Sequence, residues 1–179
     1  MRRLLAWILS MAILTIGVLI LTAPLAQGQS RPCEPLSGTV YYWFTDTWHG
    51  VADLTIGGKL RHANWVAVNT GFFDGGDIWI GTEDWTVDFG HGNAIRLSMN
   101  FVTEHMNDAV SSSGVFHVVD IGKITKGTGM FRNASGNLSV QGPFGPNVKL
   151  PDNIQPPPES QMFGFAPVQG IVCGLDDRD

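Results

Sequence analysis

A chain of 179 residues, 44% hydrophobic and only 15% charged, has globular composition and the apolar material for one sizeable core, which excludes a disordered polymer. Its 16 acidic residues outnumber 11 basic ones, and no basic run occurs, which excludes nucleic acid as a partner because that binding rests on clustered Lys and Arg at phosphates.

Arg2 and Arg3 precede an apolar run from Leu4 to Leu21, and Ala26 and Gly28 are spaced as a cleavage site. Residues 1–28 therefore read as a signal peptide and residues 29–179 as a single domain. The run is longer than the usual apolar region of about 7 to 15 residues, so an uncleaved N-terminal anchor is the alternative, and only that case makes a membrane a partner. Both readings put the domain outside the cytoplasm, as a secreted, periplasmic or other extracytoplasmic protein. Without Arg2 and Arg3 the remainder has 9 basic against 16 acidic residues, a net charge of −7. Cys33 and Cys173 stand near the two ends of that domain, and an oxidising compartment lets them pair. Two free buried thiols are the alternative.

From Leu36 onward no amphipathic helix is evident, and short runs rich in β-branched and aromatic residues recur between turn signals. Strands are predicted over Gly38–Phe44, Gly50–Gly57, His62–Thr70, Gly76–Thr82, Glu83–Phe89, Ala94–His105, Gly114–Ile124 and Gly136–Gly142, with the fourth and fifth readable as one bent strand. "NTGFFDGGD", "GHGN" and "SSSG" supply turns between them. A proline-rich excursion at 150–161 precedes a last strand in "MFGFAPVQGIVCG". About eight short strands imply an all-β sandwich or barrel. A barrel leaves no exposed edge and brings the first and last strands together, as a Cys33 to Cys173 bridge favours, so the closed eight-stranded antiparallel barrel is preferred.

"KGTGMFRNASGNLSVQG" is glycine-rich yet holds Met130, Phe131, Leu138 and Val140. Glycine permits sharp coiling and leaves room for bulky neighbours, so Gly127 and Gly129 are placed at a bend, Phe131 beside them, and "NASGN" with Gly136 at the reversal into the next strand. A phosphate loop is not favoured, since no helix follows to hold an anion.

The segment "KITKGTGMFRNASGNLSVQG" also resembles the allene oxide cyclase and dirigent barrel superfamily, with its Gly-Thr-Gly-x-Phe turn followed by a small residue and another Gly. "IRLSMNF" ahead of a loop and "VFHVVDIGKI" keeps the order of that superfamily's C-terminal half. The resemblance covers roughly Gly90 to Gly142. It implies a closed eight-stranded antiparallel barrel of calycin-like form, with an internal cavity and assembly into homo-oligomers, dimers or trimers. Plant cyclases of this family place an acid and an amide on the first strand, and "TVYYWF" carries neither.

Hydrolase signatures are absent: there is no Gly-x-Ser-x-Gly elbow. The five histidines include no pair at local zinc spacing, so neither metal nor other cofactor is expected. In Ala94–His105, Ile95, Leu97, Met99 and Phe101 alternate with Arg96, Ser98, Asn100 and Glu104. If the polar set points outward it is a solvated face, and if inward it lines a cavity with paired charges. His117 interrupts Val115, Val119 and Ile121, and Asp88 interrupts "WTVDF"; each reads as a satisfied structural residue or a cavity acid or base. Asp88, Arg96, Glu104 and His117 are thus the candidate catalytic residues of any cavity. Tyr41, Tyr42, Trp43, Trp48, Trp65, Trp79 and Trp85 make the N-terminal half aromatic, suited to packing a core or lining a cavity for an apolar ligand. Asn133 and Asn137 begin Asn-x-Ser sequons, relevant only in a eukaryotic secretory pathway. The expected function is binding of a small hydrophobic molecule in an internal cavity, by a carrier, a cyclase or isomerase, or a dirigent-type coupling helper. The alternative is an extracellular or envelope interaction module with a filled barrel.

Overall fold

The computed structural model describes residues 32–76, 78–105 and 114–176. The segment expected to be a signal peptide or anchor, most of the "SSSG" turn and part of "NTGFFDGGD" lie outside the described residues. Within them the chain is all-β: β1 (Cys33–Phe44), β2 (Trp48–Ile56), β3 (Lys59–Asp74), β4 (Ile78–Asp88), β5 (Ala94–His105), β6 (Phe116–Thr128), β7 (Ser135–Gly145) and β8 (Met162–Cys173). No described helix is long and apolar enough to cross a membrane.

Each strand pairs antiparallel with its chain neighbour, and β1 pairs with β8 from Cys33 opposite Cys173 to Phe44 opposite Met162, closing an eight-stranded barrel. Cys33 and Cys173 are bonded as a disulfide, and the bond fits an oxidising environment outside the cytoplasm. Side chains alternate between the inside and the outside of the wall. On β5, Ile95, Leu97, Met99, Phe101 and Thr103 are buried, while Arg96, Asn100, Val102 and Glu104 are exposed. On β4 the inner set is Trp79, Gly81, Glu83, Trp85 and Val87, so Gly76–Thr82 and Glu83–Phe89 belong to one strand.

The barrel has a closed base and a more open end. The base carries the disulfide, the Gly57-Gly58 turn between β2 and β3, the Gly90–Asn93 turn between β4 and β5, and a short 3-10 turn at Gly129–Phe131. Its interior is filled by Leu36, Ile56, Val87, Ile95, Leu138 and Val172, with Phe131 fully buried among them. Gly127 and Gly129 stand where β6 leads into the 3-10 turn. A Cβ on Gly127 would lie 1.7 Å from the Phe131 carbonyl oxygen, and Gly129 has a φ of +58° with Asn93 Oδ1 against its missing side chain. Gly136 likewise lies where a Cβ would meet the Ile171 carbonyl, at 2.0 Å.

Two expectations need correction. "NTGFFDGGD" is not wholly a turn: β3 continues to Asp74, and a register shift between Asn69 and Gly71 turns Phe72 inward after Asn69. The 150–161 segment lies outside the strands but is more than an extended linker. Ile154 N bonds Pro151 O at 2.9 Å, Ser160 N bonds Pro157 O at 3.1 Å, and Gln161 N bonds Phe44 O at 2.9 Å.

The disulfide closes a sequence separation of 140 residues, so replacing both cysteines by serine is expected to lower the unfolding free energy by about 4 to 5 kcal/mol in urea titration. Intact mass before and after reduction should differ by two hydrogens, and two free thiols in the unreduced protein would overturn the pairing.

Candidate functional site

Away from the base the barrel is hollow. A cavity of about 220 Å³ opens between β1 to β8, lined chiefly by aromatic side chains. Trp65 and Trp85 stack with centroids 4.6 Å apart, and Tyr42 packs edge-on to Trp65 at 5.9 Å. Trp48, Phe144, Phe116 and Trp79 continue the aromatic wall through successive ring contacts. Small residues on the facing strands make these rings fit: a Cβ on Gly164 would fall 2.3 Å from the Tyr42 ring, because Gly164 is the register partner of Tyr42. At the rim stand Phe44, Phe72, Trp79 and Met162, partly or largely exposed.

Set into this apolar wall are three buried polar side chains, Glu83, Thr103 and Asp120, at 6%, 3% and 4% exposure. Glu83 points inward because β4 alternates, as do Trp79 and Trp85. Asp120 does so on β6, two residues after Val118 and two before Gly122. The Trp85 indole N–H donates to Glu83 Oε1. The Tyr42 hydroxyl donates to the Pro143 carbonyl at 3.3 Å. Asp120 Oδ1 and Trp65 Nε1 are buried without hydrogen-bond partners, and both residues line the cavity. Among the described residues no Lys, Arg or His lines the cavity with the two carboxyls, and no cation contributes to the shift of either.

Electrostatics follow from that isolation. Burial pushes the Glu83 carboxyl up to about 7, against the lowering effect of the Trp85 hydrogen bond. Burial, with the charge on Glu83 added, holds the Asp120 carboxyl well above the ordinary range. The Tyr42 phenol is raised by burial and then by both carboxylates. The arrangement can bind a ligand that offsets negative charge, or hold and release a proton at Glu83 near neutral pH.

The residues selected from sequence lie elsewhere. Asp88 is exposed on the outer face, its Oδ1 accepting from Gly90 N at 2.8 Å in the turn after β4. Arg96 is exposed beside Lys126, Thr86 and Thr128 in an outer groove. Glu104 is exposed, and His117, its register partner on β6, is half-buried on the outside with Nε2 3.4 Å from Gln141 Nε2. Glu104 and His117 are thus brought together, but none of the four lines the cavity. The solvated-face reading of Arg96, Ser98, Asn100 and Glu104 fits this placement, and His117 shares the outer face with Ile121 rather than with the core. Glu83 and Asp120 were missed. A continuous β4 would have shown Glu83 in phase with Trp79, Trp85 and Val87. Asp120 gave no such signal, because apolar residues occupy both faces of β6, with Ile121 59% exposed.

The fold and site define a closed antiparallel barrel with an aromatic, doubly acidic internal cavity. No protein-family model, no curated protein and no solved structure matches the chain.

Because the Glu83 carboxyl is raised from 4.5 to about 7, the folded state holds a proton that the unfolded state releases across that interval. Stability is therefore expected to be fully present below pH about 4.5 as far as this group is concerned, and to be lost as pH rises through about 7, by up to about 3 kcal/mol. Glu83→Gln should flatten that slope in unfolding measured from pH 5 to pH 8. An unchanged slope would show that Glu83 ionises without cost.

Proposed function

We propose that this protein is an exported barrel that binds a small, largely apolar molecule in its internal cavity. The observation that carries the reading is the roughly 220 Å³ hollow in an otherwise packed barrel, lined by Tyr42, Trp48, Trp65, Trp85 and Phe144. Ligand sites are concave, mostly apolar and fitted with a few fixed polar groups, which here are Glu83, Thr103 and Asp120. Its volume lies below the range of about 300 to 1,000 Å³ typical of drug-sized ligands, so the fitting molecule is small, about one ring with its substituents. The likeness of the Lys123–Gly142 segment to the allene oxide cyclase and dirigent superfamily supports the same reading, as does a disulfide suited to secretion or the periplasm.

A cyclase or isomerase is the second reading, and Glu83 favours it. A carboxyl near pH 7 within an apolar pocket is a general acid or base matched to neutral pH, and aromatic walls would hold a flexible substrate folded. An interaction module with a filled barrel is disfavoured by the hollow.

Native mass spectrometry of the protein purified from its own host, joined to a thermal-shift screen of small apolar compounds, tests the ligand reading. A bound small molecule, or stabilisation that grows with concentration as mass action requires, is the expected result. Val140→Phe, which puts a ring into the cavity wall, should abolish binding while the barrel spectrum is retained. If the protein carries nothing and no compound stabilises it, the reading fails.

A further inference from the structure

The cavity's polar groups do not suit a purely apolar occupant. Two carboxyls from β4 and β6 are buried in a wall of rings, and each raises the cost of charging the other. A neutral hydrocarbon would leave Asp120 Oδ1 buried and unpartnered, at the full desolvation cost of that atom. A positively charged guest supplies what the wall lacks: a donor or a charge against Asp120, and an opposite charge against Glu83. The aromatic side chains add attraction of their own, since a desolvated cation is drawn to the negative face of a Trp or Tyr ring.

We infer that the cavity takes an organic cation, an ammonium group carried on a small apolar or aromatic scaffold, held by Glu83 and Asp120 among the rings of Tyr42, Trp65 and Trp85. The inference rests on the ligand reading above and names the class of that ligand. A divalent metal ion is disfavoured by the donors. Calcium takes about 6 to 8 oxygens, and the described residues hold no cluster of three or more His, Cys, Asp or Glu that could bind a metal.

The groups facing the guest that titrate are Tyr42 from β1, Glu83 from β4 and Asp120 from β6. The lining residues of β2, β3, β5, β7 and β8 add no titratable side chain. His49 on β2 pairs instead with Asp46 at 3.6 Å, outside the lining. Ionisation of the two carboxyls therefore governs the affinity for a guest of fixed charge.

The probe is benzyltrimethylammonium, which cannot titrate, paired with neopentylbenzene, its uncharged carbon isostere, both read by tryptophan fluorescence of the full-length protein at submillimolar concentration. The cation is expected to bind at least about tenfold more tightly than the isostere at pH 8, and to lose several-fold in affinity by pH 6 as Glu83 takes up its proton. Asp120→Asn and Glu83→Gln remove a buried charge at constant shape, so both should fold. Each is expected to reduce the preference for the cation over the isostere severalfold. Equal binding of cation and isostere overturns the inference and leaves the ligand reading standing. So does a cation preference that survives both substitutions. Stabilisation by calcium or magnesium ions in place of the ammonium overturns it too. Binding of neither probe overturns it as well, and if the apolar screen is also silent the ligand reading falls with it.

Discussion

The pairing of β1 with β8 is the interaction on which everything else depends. Twelve residues of each strand run opposite one another, and with that seam shut no strand in the sheet has an open edge. A closed sheet has an inside, so the two-residue repeat of side-chain direction becomes a rule about which residues meet water. Glu83 and Asp120 are buried because closure leaves their faces nowhere else to go. Arg96 and Glu104 are solvated for the same reason, one residue out of phase.

The interior divides along the barrel axis. At the base, branched aliphatic side chains and Phe131 fill the space, and the bend at Gly127 and Gly129 lets Phe131 into the barrel floor. Toward the rim the side chains become larger and flatter, and rings packed edge to face or stacked surround the hollow. Gly122 and Gly81 on the inner wall keep the neighbourhood of the two acids open, since a Cβ at either would collide with Met99 or Phe101. The packed floor fixes the strands, and the fixed strands hold two carboxyls in an apolar place that neither would choose alone.

Much of this was legible in the residues. The alternation in Ala94–His105 gave β5 to the residue, the cysteines indicated the seam, and the glycines around Phe131 marked the bend. The acids of the cavity were not, for a physical reason. Sequence alternation distinguishes two faces but reads as inside and outside only where one is polar, as on β5. On β6 both faces carry apolar residues, so His117 stood out by its chemistry while Asp120, on the inner face, did not. On β4, splitting the strand at Thr82 separated Glu83 from the tryptophans that share its phase. Asp88, also acidic and one residue beyond the inward Val87, falls on the outer side and caps a turn.

The seam also joins the first and last strands to be synthesised. Hairpins from β1 to β7 can form from neighbours in the chain, but β1 must wait for a partner that begins at Met162, a search over long sequence separation that slows folding. Formation of the Cys33–Cys173 bond then marks the moment of completion, because its sulfurs meet only when the last strand has docked. A chain ending before β8 would keep two unsatisfied strand edges, on β1 and β7, a template on which a second incomplete copy could add its own strands.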